Sequence, residues 1–154
     1  MGPLAKLRAL TGAERRLLIV SAAAIPVVAA GLAIAGFART QSMLARWSRQ
    51  RVTLRLSDEL ATARARAVAR VVAIAAGSGP VRTTCLPRSL WLWSLLRREG
   101  IESVLRVGVS RDDATLNAHA WVEHRGRPLI DADDVATRFP AFERDFGASP
   151  ARPS

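Results

Sequence analysis

A chain of 154 residues is long enough for one domain with a substantial hydrophobic core. Its single cysteine excludes an intrachain disulfide framework and a multi-cysteine zinc site, and it suits a reducing compartment. The net charge of +10 belongs to residues 1–82, because residues 83–154 hold equal numbers of basic and acidic side chains. Anionic lipid, an acidic peptide or protein, or nucleic acid could meet such a basic front, but no zinc motif or glycine-rich aromatic repeat favours nucleic acid.

Residues 1–56 are predicted to form a helical N-terminal region rich in apolar and basic side chains. Thr11 and Glu14 have the spacing of a capping box and predict the start of a helix. Residues 17–38 carry no charge, so this stretch is long enough to cross a bilayer. Pro26 would kink such a helix near its middle. The flanking basic residues are equal in number on both sides and predict no orientation.

Three structures are compatible with residues 17–38. The first is a transmembrane helix, and the second is a cleaved signal peptide whose small-residue site would be Ala33-Ile34-Ala35. The third is a helix hairpin, either buried or lying on a membrane surface. Residues 39–56 follow as an amphipathic stretch studded with arginine.

The next predicted helix runs over residues 57–76. Ser57 is expected to be its N-cap, and Asp58 and Glu59 lie in the first turn, where acidic side chains favour the helix dipole. The run Gly77-Ser78-Gly79-Pro80 ends it.

The second half of the chain predicts a helix over residues 85–99 that stops at Gly100. Alternating patterns predict strands over 103–110, 117–124 and 127–131. A helix packed on an antiparallel sheet makes the fold class α+β. A domain built on this helix and sheet is expected to span residues 57–149, followed by a disordered tail over 150–154. Three phenylalanines before that tail are expected to cover one edge of the sheet: Phe139, Phe142 and Phe146.

Cys85 stands at the start of a predicted helix, and Pro87 suits the first turn of that helix. A helix N-terminus is one of the settings that stabilise a reactive thiolate. The alternative interpretation of a lone cysteine is a small buried apolar residue.

The two histidines, His119 and His124, lie five residues apart on one predicted strand. An odd separation places them on opposite faces of a sheet, so at most one can face the Cys85 helix. We expect His119 to face that helix and His124 to be a surface residue of the following turn.

The hairpin after His119 determines which residue lies opposite it. A two-residue loop would place Ala132 there, whereas a three-residue loop with a G1 bulge at Gly126 would place Asp131 there. We prefer the second register because an imidazole beside a carboxylate is the arrangement of a base and its orienting group. The order cysteine, histidine, aspartate is the one used by papain-like and transglutaminase-like folds.

Five blocks of sequence carry a family resemblance over roughly residues 60–145. They are Cys85–Leu90, Leu95–Ile101, Arg106–Val109, Ala118–Glu123 and Gly126–Asp131. In order and spacing these blocks resemble the leader peptidases of lasso peptide biosynthesis, which are transglutaminase-like cysteine proteases. The apolar segment followed by an arginine-rich stretch is similar to the stand-alone form of that protease.

The resemblance implies an activity and three site residues. Cys85 would be the nucleophile, His119 the general base and Asp131 its orienting group. The Cys85 N–H and a second donor would hold the oxyanion, with Arg82, Thr83 and Thr84 as candidates for that donor. No cofactor and no metal is implied.

The resemblance also implies partners. Such enzymes remove the leader from a ribosomally made precursor peptide and expose an amine for an ATP-dependent cyclase. Longer members begin with a leader-recognition domain of strands and a winged helix, but residues 1–80 are predicted to be helical throughout. A separate leader-binding protein is therefore expected, with the basic front docking that protein, the leader or membrane lipid through residues 17–38. The expected location is the cytoplasm, and association with the cytoplasmic membrane stays open.

Two alternatives remain from the residues alone. Another acyl-transfer enzyme on the same scaffold, such as a transglutaminase or an amidase, would use Cys85, His119 and Asp131 unchanged. A membrane-anchored adaptor without enzymatic activity would leave Cys85 buried and unreactive.

Overall fold

The computed structural model of the protein describes residues 10–49, 56–77, 85–112 and 115–141. The helices are α1 (Gly12–Trp47), α2 (Asp58–Gly77), α3 (Cys85–Arg98) and the short α4 (Val135–Arg138). The strands are β1 (Val104–Asp112), β2 (Thr115–His124) and β3 (Arg127–Pro128). Helices and one small antiparallel sheet confirm the α+β fold class.

Some predictions lie outside the described residues. They concern the end of the arginine-rich stretch, the three candidates for the second oxyanion donor, two of the tail phenylalanines and the predicted disordered end: 50–55, Arg82, Thr83, Thr84, Phe142, Phe146 and 150–154.

Local capping determines where two of the helices begin and one ends. The Glu14 carboxylate accepts from the Thr11 N–H at 2.9 Å, and the Thr11 hydroxyl accepts from the Glu14 N–H at 3.3 Å, which confirms the capping box. The Ser57 hydroxyl accepts from the Leu60 N–H at 3.4 Å, as expected of an N-cap. At the end of α3, Gly100 adopts a φ of 73°, the left-handed conformation that terminates many helices.

Helix α1 is a hairpin of two arms that meet at Gly36. The backbone of Gly36 is not helical, with φ 79° and ψ 172°. Trp91 of α3 contacts both arms, because its indole N–H donates to Ser21 Oγ at 3.0 Å and its ring stacks on Trp47 at 5.3 Å. A straight helix would hold Ser21 and Trp47 about 39 Å apart. This bend is the one expected of the hairpin, and the arm before it is long and apolar enough to cross a membrane by length and composition.

A close approach of the two arms fixes the bend. Thr40, which is buried, donates its hydroxyl to the Gly36 carbonyl at 2.8 Å. A Cβ placed on Gly31 would lie 3.4 Å from the Thr40 side chain, so the arms are in van der Waals contact here. Pro26 lies inside the helical part of the first arm.

One hydrophobic core joins the three long helices and the sheet. Ile25 and Val28 of α1 lie in the same buried cluster as Val68 of α2 and Leu92 of α3. The predicted N-terminal region and the predicted catalytic domain, divided at residue 56, therefore share this core. Helix α3 is central, because all its residues from 89 to 96 are buried.

The sheet is antiparallel in the order β1-β2-β3, and Gly108 of β1 lies opposite His119 of β2. His124 pairs with Arg127, so the loop between β2 and β3 has two residues, Arg125 and Gly126. The preferred three-residue loop is wrong. Arg125 accepts a φ of 52° and Gly126 one of 73°, and positive φ at both positions is the type I′ turn whose twist matches a hairpin. The third strand is also shorter than predicted.

The prediction that His124 is a surface residue is wrong as well. Its side chain faces the helices and the residue is 4% exposed. Nδ1 lies 2.6 Å from the Glu102 carbonyl and Nε2 lies 3.1 Å from Thr62 Oγ1. His124 therefore links the end of β2 to α2 and to the approach of β1, where it is part of the structural framework.

Candidate active site

Cys85 is the first residue of α3 and is partly exposed. Pro87 lies in the first turn, where a missing N–H removes no helical hydrogen bond. The Cys85 sulfur accepts a hydrogen bond from the Ala120 N–H at 3.4 Å. The sulfur therefore lies at a helix N-terminus and beside a backbone N–H.

The first turn of α3 occupies the edge of β2 where β3 has ended. The hairpin pairing reaches Leu129, whose N–H donates to the Val122 carbonyl at 3.0 Å. Two residues back along the same edge, the Ala120 N–H donates to Cys85 Sγ and the Ala120 carbonyl accepts from Ser89 Oγ at 2.9 Å. Side chains of α3 thus form hydrogen bonds with backbone groups of β2 that would pair with β3 if β3 were longer. This arrangement fixes the sulfur beside residues 119 and 120.

His119 and Asp131 form the hydrogen-bonded pair that the sequence predicts. Nε2 of His119 lies 2.7 Å from Oδ1 of Asp131, and both side chains are largely buried. The register places Ala132 opposite His119, yet β3 ends at Pro128 and the chain then leaves the ladder, which brings Asp131 to the ring. Because Nε2 is engaged, Nδ1 is the nitrogen left to accept a proton.

Two aromatic rings hold the His119 imidazole. Trp121, two residues along β2, stacks on it at 6.1 Å between ring centroids. Phe139, from the segment after α4, packs at 5.0 Å. Phe139 was predicted to cover one edge of the sheet, and its ring contacts the candidate base.

Glycine is required at position 108 for that contact. A Cβ on Gly108 would overlap the Phe139 carbonyl oxygen. The same segment continues along β1, where the Val109 N–H donates to the Pro140 carbonyl at 3.4 Å and Gly108 forms a bridge with Ala141. The segment carrying Phe139 can lie over β1 only because residue 108 has no side chain.

Arg88 is a site residue that the sequence reasoning missed. Its Nη2 lies 3.3 Å from each carboxylate oxygen of Asp131, and both side chains are largely buried. Arg88 follows Cys85 by three residues, a spacing that places both on one face of α3. That spacing was the available signal. Asp131 consequently lies between a guanidinium from the cysteine helix and the imidazole of β2.

The three predicted residues converge on one short stretch of β2. His119 and Asp131 are bonded directly, whereas in the described ranges the hydrogen bond of the Cys85 sulfur goes to the Ala120 N–H and not to the His119 ring. Catalytic hydrogen bonds of cysteine and serine enzymes are often long before substrate binds. A thiol at a helix start, a base and an orienting carboxylate are the components of acyl transfer through a covalent intermediate.

Comparison with known proteins identifies the family of the chain. The family model described as transglutaminase-like superfamily matches residues 28–143, more than half of the chain. The protein therefore belongs to the transglutaminase-like superfamily, whose members are generally cysteine-protease-like enzymes. The match begins at Val28, in the first arm of α1, and continues past Phe139. Neither the curated proteins nor the solved structures yield a match.

Proposed function

We propose that this protein is a cysteine peptidase that removes the leader from a lasso peptide precursor. It acts with a separate leader-binding protein and passes the core peptide to an ATP-dependent cyclase. The observation that carries the proposal is the bonded pair of His119 and Asp131 beside Cys85 in a transglutaminase-like chain. The substrate class rests on the five sequence blocks that resemble lasso leader peptidases.

In this mechanism the Cys85 thiolate attacks the carbonyl carbon of the last leader residue. His119 accepts the thiol proton at Nδ1 and then gives it to the departing amine, which becomes the N-terminus of the core. Asp131 holds the ring through Nε2 and stabilises the imidazolium. The Cys85 N–H at the helix start favours the oxyanion. Water then hydrolyses the thioester and releases the leader.

Two arginines of α2, in the basic first half of the chain, have partners inside the chain. Arg64 makes two hydrogen bonds to the Glu99 carboxylate, at 2.7 and 2.8 Å, and Glu99 raises the pKa of Arg64. Arg70 bonds Glu14 at 2.6 Å. These two residues tie α2 to α3 and to α1, so changing them disturbs the fold together with any docking surface.

Arg66, another arginine of α2, lines a cavity of about 340 Å³ beside the hairpin. Arg127, Pro128 and Leu129 also line it, together with the Asp133 carboxylate and with Arg125, which is paired with Asp58 at 2.6 Å. The guanidinium groups of Arg66 and Arg127 suit an extended peptide with carboxylate side chains. We place the leader-binding protein or the leader at this cavity.

The proposal is tested by incubating the purified chain with a lasso precursor and its leader-binding protein, followed by mass spectrometry. We expect one cleavage at the leader–core junction, and we expect none with Cys85→Ala. An intact precursor in the presence of the partner protein would contradict the peptidase. A product in which an added primary amine is joined to a glutamine side chain would favour a transglutaminase.

Docking at the cavity has a matched pair of variants. Arg66→Gln combined with Arg127→Gln should raise the KM for the precursor about tenfold or more while kcat changes little, because the site of chemistry is untouched. Arg46→Gln, which alters an exposed arginine of α1 outside this cavity, is the control. Equal KM values in all three proteins would remove the cavity from the proposal.

A thiol-labelling experiment separates the enzyme from an adaptor. A nucleophilic Cys85 should react with iodoacetamide at pH 6 faster than a free thiol does, because it is partly exposed at a helix N-terminus. Labelling that requires denaturation would favour the adaptor.

A further inference from the structure

The first arm of α1 has two different faces, and one of them has no partner within the described residues. Ser21, Ile25 and Val28 point into the protein and are buried. The opposite face is exposed and carries only apolar side chains over more than four turns of helix. We call it the apolar stripe, formed by Ile19, Ala23, Pro26, Val27, Ala30 and Ile34.

These six positions form one continuous surface. At 3.6 residues per turn they fall within an arc of about 100° on the helix. Their side chains are well exposed, with Ile19 70%, Val27 69% and Ile34 88% accessible to solvent. A helix that is apolar on all sides is normally buried on all sides, either in a protein core or in a membrane. Half of this helix meets the core, so the other half requires an apolar partner.

The charges around the stripe indicate the chemistry of that partner. Arg16 lies on the same helix face one turn before Ile19, and Arg39 follows the bend at Gly36. Both are exposed, and neither makes an ion pair with another described residue. Cations at both ends of an uncharged apolar surface match a membrane interface, where guanidinium groups contact anionic headgroups while apolar side chains reach the acyl region.

The fold also determines how α1 can meet the bilayer. Its inner face is packed on α2 and α3, where Trp91 bonds Ser21. A transmembrane orientation would either strip α1 from this core or carry the charged side chains of α2 into hydrocarbon, which is costly. Helix α1 is long and apolar enough to span a membrane by length and composition. Its packing on α2 and α3 favours an orientation in the plane of the surface.

We infer that the apolar stripe docks the folded protein in the plane of an anionic membrane surface, with Arg16 and Arg39 on lipid headgroups. The protein is then a monotopic membrane protein in which α1 lies on the lipid and packs its inner face on α2 and α3. The inference is independent of the peptidase activity, because no stripe residue contributes to the candidate active site.

The test is flotation of the purified full chain with vesicles. We expect binding to vesicles of phosphatidylcholine with 30% phosphatidylglycerol and weaker binding to phosphatidylcholine alone. Val27→Ser combined with Ile34→Ser should lower the partition coefficient at least about tenfold, since two apolar side chains are lost from the interface. Arg16→Gln and Arg39→Gln should each lower it about fivefold on the anionic vesicles.

The matched control is Leu60→Ser combined with Leu116→Ser, at 60% and 69% exposure on other parts of the surface. This variant should bind vesicles as the unchanged protein does. Circular dichroism and leader cleavage in solution verify that the stripe variant is folded, because its substitutions are exposed and remote from Cys85.

Three results would overturn the inference. One is equal vesicle binding by the stripe variant and the unchanged protein. Another is the absence of vesicle binding together with a dimer, or a complex with the leader-binding protein, that the stripe variant abolishes, which would make the stripe a protein interface. The last is retention of the protein in cell membranes after an alkaline carbonate wash, which would indicate a spanning helix.

Discussion

The candidate active site and the apolar stripe of α1 differ in whether their side chains have partners within the described part of the chain. At the site, polar groups find partners within the chain: Asp131 binds His119 and Arg88, while the Ala120 backbone binds Cys85 and Ser89. At the stripe, apolar side chains such as Ile34 remain exposed. The role of the active site can be inferred from contacts within the chain. The role of the stripe depends on the external surface that would cover its exposed side chains.

This difference predicts how substitutions should separate. Changes at the site should act on the chemistry in solution, with or without lipid. Changes on the stripe should leave the chemistry intact and weaken binding to membranes.

The largest effect is expected for the nucleophile and the base. Cys85→Ala and His119→Ala should each lower kcat at least about 10⁴-fold, because the members of such a triad act as a unit. Vesicle binding should be unchanged in both. Cleavage assays and flotation on the same preparations measure the two properties, and full activity in Cys85→Ala would end the cysteine-protease interpretation.

Asp131→Asn should leave a small residual activity, with kcat lowered about 10³-fold. The amide can still orient the His119 ring but does not stabilise the imidazolium. The measurement is kcat with saturating precursor. Asp134→Asn, which changes an exposed carboxylate three residues away and outside the cavity, should keep most of the activity. If the two variants behaved alike, Asp131 would have no special role.

Arg88→Gln should lower kcat about 10- to 100-fold with a small change in KM. Loss of the guanidinium frees the carboxylate that orients the base, and a small misplacement of catalytic groups is costly. Arg88→Lys should restore part of kcat because it restores the cation. An equal loss in both variants, accompanied by a lower melting temperature, would make Arg88 a purely structural residue.

Gly108→Ala should destabilise the protein by about 1–3 kcal/mol, because the new methyl group meets the Phe139 carbonyl and the segment over His119 must shift. Thermal unfolding measures the loss, and cleavage should slow more than Phe139→Leu slows it, since leucine keeps an apolar contact. Gly12→Ala, at a position with open space, is the control. An unchanged melting temperature for Gly108→Ala would contradict the overlap.

The smallest effect concerns the attachment of α1. Hydrogen bonds from the Thr11 N–H and hydroxyl, and then from Arg70, hold the pKa of Glu14 below its ordinary value of 4.5. A carboxylate with a lowered pKa contributes stability above the ordinary value, and the contribution is lost as pH falls through the pKa of the folded state. Glu14→Gln should therefore lower the melting temperature at pH 7, and its difference from the unchanged protein should narrow below pH 4.5.

The control is Glu59→Gln, an exposed first-turn carboxylate of α2. It should show little difference at any pH. A difference for Glu14→Gln that stays constant from pH 7 to pH 3 would exclude this ionic contribution.

Features determined by neighbouring residues were predictable from the sequence. The capping box at Thr11 and Glu14, the N-cap at Ser57 and the stop at Gly100 depend on contacts within one helical turn. The strands of the hairpin also follow from alternation. These elements, taken together, are sufficient to predict the α+β class.

Features determined by contacts between distant residues were not predictable from the sequence. The loop type depended on whether Arg125 would accept a positive φ, which local pattern does not reveal. The pairing of His119 with Asp131 was predicted through the wrong register and arises from the chain leaving the ladder after Pro128. The bend at Gly36 required knowledge that both arms would meet Trp91.

The short length of β3 leaves room beside β2 for the nucleophile. One more pair of residues in that strand would bring a backbone to the Ala120 edge and exclude the first turn of α3, and Cys85 with it. The same extension would keep Asp131 in the ladder, opposite a different residue from the one it now meets. The length of the hairpin therefore determines where the first turn of α3 can lie. An insertion or deletion in the hairpin could be tolerated in evolution only with a compensating shift of the cysteine helix.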